Sequence, residues 1–203
     1  MFVANPSKGD GMPESVQETV RTHLDHGRAC LDKGKYDDAI ADYDKAIALD
    51  PNVALAYTNR GVAYRKKGEV DRAIADYTEA IAIDPNHANA YDNRGTAYGR
   101  KGEVDRAIAD YDKAIKLNPN YASAYNARAW AYFKWGKPDL GLPDAERAVE
   151  LAPDNSYAFG TRGQIYAALG RREEAITDLQ KALSINPDLK ESREALQGLG
   201  VTP

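Results

Sequence analysis

Apolar and small residues return along this chain at steps of three and four, and the pattern breaks at regular points. Between Ala54 and Lys67, the residues Ala56, Tyr57, Arg60, Gly61, Ala63 and Tyr64 mark one packed face of a helix. Between Val70 and Ile83 the same period runs through Val70, Ala73, Ile74, Tyr77, Ala80 and Ile81. Gly68 stands where the first helix has to stop, since glycine enters the left-handed region most easily, and Pro85 follows the second because proline cannot continue a helix. The pattern predicts a helical hairpin.

That hairpin recurs. Pro51, Pro85, Pro119, Pro153 and Pro187 stand 34 residues apart, and Gly34, Gly68, Gly102, Gly136 and Gly170 keep the same interval. Small residues form columns at Gly27, Gly61, Gly95, Ala129 and Gly163, at Ala39, Ala73, Ala107, Gly141 and Ala175, and at Ala46, Ala80, Ala114, Ala148 and Ala182. The segment from Lys67 to Tyr77 reappears letter for letter from Lys101 to Tyr111. Columns of Gly and Ala let paired helices approach closely, with tyrosine filling the remaining space.

This layout resembles the tetratricopeptide repeat, whose 34-residue pattern carries an aromatic, Gly, Tyr, Ala, an aromatic, Ala and Pro in fixed order. One unit supplies them as Tyr57, Gly61, Tyr64, Ala73, Tyr77, Ala80 and Pro85, and five units match from Val20 to Leu189. The resemblance implies an all-α fold, a right-handed α-solenoid of five helix-turn-helix hairpins plus a C-terminal capping helix. The organisation expected is a flexible tail at 1–15, repeats at 16–53, 54–87, 88–121, 122–155 and 156–189, and a capping helix with a short tail at 190–203. Ser15 followed by Glu18 is a capping-box signature, which predicts a first helix beginning at Val16. At the other end Asp188 to Gln197 fits one more helix, with Leu189 and Leu196 covering the last hairpin, Lys190, Glu191 and Glu194 facing water, and Gly198 as the stop. The fourth repeat departs from the pattern, with Gly141 in place of Ala and Pro143 inside the helical span. A second helix that starts late, near Pro143, or a bend is predicted there.

Composition narrows the function classes. Lys and Arg total 27 against 31 Asp and Glu in 203 residues, a net charge of −4 with no clustered basic face, which argues against nucleic acid as a partner. No apolar run is long enough to insert in a membrane, and the start lacks the apolar stretch of a signal peptide. A cytoplasmic location is expected, with a periplasmic or secreted one open to a chain that has lost its leader. The lone cysteine, Cys30, leaves no internal disulfide.

Charged residues also fall in columns. Arg60, Arg94, Arg128 and Arg162 share one, and Asp42, Asp76, Asp110, Asp144 and Asp178 share another in the second helix. Buried charges need partners, so an Arg–Asp ladder is predicted, joining Arg60 to Asp76 within a repeat or to Asp42 between repeats. His23, His26 and Cys30 lie at steps of three and four on one helical face, an arrangement that metal ligands can take. The same columns of the next repeat hold Tyr57, Arg60 and Tyr64, so core filling by a divergent first repeat is the reading preferred, and no metal or cofactor is expected. No phosphate-binding loop and no acid–base pair emerges, and an enzyme is not expected.

The side of each first helix opposite the packed face is left over. In the family this chain resembles, that side lines a concave groove that binds extended peptides or partner helices. Carried over repeat by repeat, the groove positions are Leu55, Thr58, Asn59, Val62, Arg65 and Lys66, then Asn89, Asp92, Asn93, Thr96 and Arg100. Asn126, Trp130, Phe133 and Lys134 follow in the fourth repeat, and Tyr157 and Gln164 in the fifth. Asn59 and Asn93 share a column and Asn126 lies one position before it; an amide offers both donor and acceptor to a peptide backbone. Trp130, Phe133 and Tyr157 are expected to anchor a partner. A non-enzymatic interaction module or scaffold that binds another protein or peptide is the function expected, the alternative being a homo-oligomer assembled through the repeat ends or the groove.

Overall fold

The computed structural model describes residues 13–202 of the chain. Among them are eleven α-helices and no strand. They fall into two compact units, divided between Ile83 and Asp84. The first unit holds α1 (Glu14–Asp32), α2 (Tyr36–Leu49), α3 (Ala54–Lys67) and α4 (Val70–Ile83). The second holds α5 (Ala88–Arg100), α6 (Val104–Leu117), α7 (Ala122–Lys134), α8 (Pro138–Leu151), α9 (Ser156–Ala168), α10 (Arg172–Ile185) and α11 (Lys190–Gly198). Odd and even helices pair as hairpins that pack side by side within each unit, and α11 covers the last hairpin, touching both α9 and α10. The all-α hairpin architecture read from the sequence is present, and α3 and α4 occupy the spans that their periodicity marked.

Turn chemistry fixes each corner. Gly68 takes a φ of +86° and donates its N–H to the Arg65 carbonyl, closing α3 with a backbone that a Cβ would strain. After α2 the Asp50 carboxylate accepts the Asn52 N–H at 2.9 Å, and Asn118 and Asn186 accept from Asn120 and Asp188 in the same way. These side chains hold the bend that carries each proline.

Between paired helices, glycine makes room for a ring. A Cβ on Gly61 would lie 2.6 Å from Tyr77, and one on Gly27 2.7 Å from Tyr43, so the tyrosines pack flat against bare backbone. Tyr43 and Tyr77 are fully buried, each stabilising the fold by about 1.5–3 kcal/mol through apolar area removed from water. The fourth hairpin solves the same problem with other residues. Ala145 replaces the ring, Ala129 replaces its glycine partner, and Ile165 enters from α9 to fill the space, in a column that elsewhere holds Ala63, Ala97 and Ala131. Gly141 belongs to the same set, since a Cβ there would lie 2.8 Å from the Ala129 carbonyl and 3.3 Å from Ile165.

The Arg–Asp ladder forms within repeats. Arg60 grips Asp76 with Nε at 2.9 Å and Nη2 at 2.7 Å, and Arg94–Asp110, Arg128–Asp144 and Arg162–Asp178 repeat the two-pronged grip. Arg60 reaches Asp44 of the preceding hairpin as well, and Arg128 reaches Asp112, each at 2.5 Å. Hydrogen bonds to Asp76 and Asp144, more than offsetting burial, hold the Arg60 and Arg128 guanidiniums above their ordinary range. In the first repeat the arginine position is His26, which bonds Asp42. Burial alone would raise the Asp42 carboxyl, but hydrogen bonds from His26 and His23 hold it below the usual range.

Four local expectations change. The last helix runs Lys190–Gly198, not Asp188 to Gln197, so Gly198 lies inside it, and the left-handed turn falls at Gly200 with φ +72°. The first helix begins at Glu14, not Val16, because the Pro13 carbonyl already accepts the N–H groups of Val16 and Gln17. Ser15 therefore lies inside the first turn and forms no capping box, while residues 1–12, expected as a tail, lie outside the described residues. α8 starts at Pro138 and runs through Pro143 rather than beginning near it. Pro138 presets the first turn, and the carbonyl that Pro143 leaves without a donor belongs to exposed Asp139, where water can reach it. His26 does not fill the core, since its side chain is 67% exposed; Cys30 is buried as expected.

Candidate functional site

The first helices of the second unit, with α6 and α11, enclose a pocket of about 590 Å³. α7 supplies Asn126, Ala127, Trp130, Ala131 and Lys134, and α9 supplies Tyr157, Gly160, Thr161 and Gln164. Thr96 and Arg100 of α5 stand on one flank, with Val104, Ala107 and Tyr111 of α6 behind them, and Leu189, Glu191 and Ser192 close the other flank. Helical spacing brings the α7 residues to one side, because steps of four carry Asn126 to Trp130 and on to Lys134, and Ala127 and Ala131 stand three before the last two. The lining is mainly apolar, with amides and hydroxyls set into it.

The polar groups differ in what they can still bind. Asn126 Oδ1 is buried and has no hydrogen-bond partner among the described residues. Asn93 Nδ2 instead donates to the Asn89 carbonyl of its own helix at 2.9 Å. Asp92 is turned inward and accepts hydrogen bonds from Tyr121 at 3.2 Å and Ser123 at 3.4 Å, which ties α5 to the start of α7. Burial first, and the Asp92 charge second, push the Tyr121 phenol upward, so it stays a donor.

The aromatic residues expected to act together divide. Tyr157 is 62% exposed at the mouth, and Trp130 is half-buried in the wall with Lys134 Nζ 5.7 Å from its ring centre. Phe133 packs against Ala129, Ala145 and Ile165, and its ring lies 5.2 Å from that of Trp130, which it supports from behind.

Of the expected groove residues, the pocket thus gathers Thr96, Arg100, Asn126, Trp130, Lys134, Tyr157 and Gln164, while Asn89, Asp92, Asn93 and Phe133 lie off it. In the first unit Leu55 and Lys66 are exposed on α3, Asn59, Val62 and Arg65 are half-buried, and Thr58 is buried with its hydroxyl donating to the Ala54 carbonyl. The α11 flank was absent from the sequence reading. Its signal was Gly160, which stands where the earlier repeats hold Thr58, Asp92 and Asn126, and where a Cβ would lie 2.8 Å from Ser192 Oγ.

Models of the tetratricopeptide repeat match residues 27–68, 63–102, 97–136, 122–155 and 156–189, and the chain belongs to that family. Its repeats are those of a protein-interaction module, a class that is generally non-enzymatic. Among solved structures, a MamA protein is 30% identical, with 84% of this chain and 93% of that one covered and a TM-score of 0.67. PilF of Pseudomonas aeruginosa, 17% identical over 92% of this chain and 85% of its own, gives a TM-score of 0.83. A thermophilic tetratricopeptide repeat protein of Thermus thermophilus gives 0.73 at 23% identity, with 89% and 98% covered. The last two share the fold alone. A comparison with curated proteins returned no match. No helix among the described residues is long and apolar enough to cross a membrane.

Proposed function

We propose that the pocket of the second unit receives an extended segment or a helix of another protein, and that the chain acts as an adaptor through it. The observation that carries this reading is Asn126 Oδ1, an acceptor already stripped of water and left without a partner inside a mainly apolar wall. Such an atom costs about 1–3 kcal/mol unless something donates to it, and a peptide N–H is a donor of the right kind. Trp130 and Tyr157 offer amphipathic surface for an apolar anchor on either side of that contact. Arg100 and Lys134 place two cations on the lining against the single carboxylate of Glu191, which favours an acidic residue beside the anchor.

Peptides selected from a random display library on the full chain test this. The best binder should lose about tenfold or more in affinity on Asn126→Ala and on Trp130→Ala, and be unaffected by Lys181→Ala on the exposed side of α10. Selected peptides that bind all three variants equally would move the interaction elsewhere. Light scattering across a concentration series should find a monomer without peptide; growth that Trp130→Ala abolishes would make a second copy the occupant.

A further inference from the structure

We propose that the first hairpin is a structural metal site, in which His23, His26, Cys30 and Asp42 hold a zinc ion between α1 and α2. His26, Cys30 and Asp42 each bring one ligand atom to within 4.8 Å of the other two. Cys30 Sγ lies 4.0 Å from both ring nitrogens of His26, and His26 Nδ1 bonds one oxygen of Asp42. The fourth group is His23, whose Nδ1 lies 3.3 Å from the other Asp42 oxygen. Bond lengths of about 2.0–2.3 Å place tetrahedral ligands roughly 3.5 Å apart, so shifts of about an ångström close His26, Cys30 and Asp42 around an ion, and His23 completes the shell by turning its ring from Asp42 toward it.

The repeat register supplies a second, independent observation. The column of His23 holds Tyr57, Tyr91, Tyr125 and Phe159; that of His26 holds four arginines; that of Cys30 holds Tyr64, Tyr98, Tyr132 and Tyr166. All three change together in one repeat, each to a zinc-ligand type, while the aspartate they surround is kept. Packing asks only for volume at the two tyrosine columns, and pairing with Asp42 asks only for the arginine. Neither demand accounts for His, His and Cys at once.

The chemistry of the set fits the ion. A thiolate and a carboxylate cancel the two positive charges, and two neutral imidazoles complete a mixed soft and borderline shell that suits zinc over magnesium or calcium. Binding releases the thiol proton of Cys30 to solvent. Four protein ligands leave no open position, which is the form of a structural rather than a catalytic site. Cys30 and Asp42 are 7% and 6% exposed, whereas the His26 side chain is 67% exposed and gives the ion its way in.

Cobalt serves as the spectroscopic probe on the full chain after treatment with a chelator. One equivalent should give the visible bands of tetrahedral coordination and a thiolate charge-transfer absorption, both displaced by zinc, and zinc should raise the melting temperature by several degrees. Cys30→Ala should remove the charge-transfer absorption. His26→Arg restores the pair used by the other repeats, so it should stay folded by circular dichroism yet lose more than the ~10–100-fold in affinity expected of an outer-shell partner. No stoichiometric cobalt binding by the natural chain, or a response to zinc from His26→Arg and Cys30→Ala equal to that of the natural chain, would overturn the site and leave His26 as a plain substitute for arginine.

Discussion

Arg128 joins three facts, as Arg60 does in the first unit: it is only 20% exposed, it holds Asp144 with two hydrogen bonds, and it touches Asp112 of the preceding hairpin. A surface ion pair contributes little, but removing one member of a buried pair strands the other charge. Arg128→Ala should therefore destabilise the second unit by about 3 kcal/mol in urea unfolding, and Arg128→Met with Asp144→Leu should recover much of that loss. A single variant as stable as the natural chain would mean that water already reaches Asp144. The ladder was legible in the sequence because arginine and aspartate recur in register with the packed columns. What the sequence left open was the pairing, which α3–α4 hairpin geometry settles in favour of Asp76 over Asp42 for Arg60.

At the scale of the helix, period and punctuation specified most of the elements, and apart from Gly198, which α11 includes, the departures fall at proline. Pro138 begins α8 earlier than the surrounding signals implied, because a fixed φ near the helical value and a missing donor cost nothing in the first turn, and α1 opens directly after Pro13, whose carbonyl accepts the first N–H groups. Pro143 stands beyond that turn, so its ring and its absent N–H oppose α8 while packing through Gly141, Ala145 and Ala148 keeps the helix whole. Pro143→Ala should raise stability by about 1–3 kcal/mol in the same unfolding assay. An unchanged midpoint would show that the first turns of α8 carry the proline without strain. For the candidate pocket, the α7 and α9 residues were legible from the helical wheel. The contribution of α11 was not, since one glycine, Gly160, was its only trace.

Within each unit a hairpin rests on its neighbour rather than on a shared centre, so stability is distributed along the unit and its outer helices open first. Hydrogen exchange followed by mass spectrometry should find the slowest amides in α3 and in α7 to α9, and faster exchange in α1 and α11. Uniform protection from α1 to α11 would contradict nearest-neighbour stacking. Zinc at the first hairpin should slow α1 and α2 selectively. The identical stretches 67–77 and 101–111 can trade places by recombination without effect on packing. The fourth hairpin has no such freedom: a tyrosine copied into position 145 from a sister repeat would collide with Ile165, and an alanine copied into 141 would strike the Ala129 carbonyl. Positions 129, 141 and 145 of this hairpin and 165 of the next thus form one interlocked set, so a swap at any one of them is tolerated only when the others change with it, and the wall behind Trp130 cannot be exchanged with a sister repeat piece by piece.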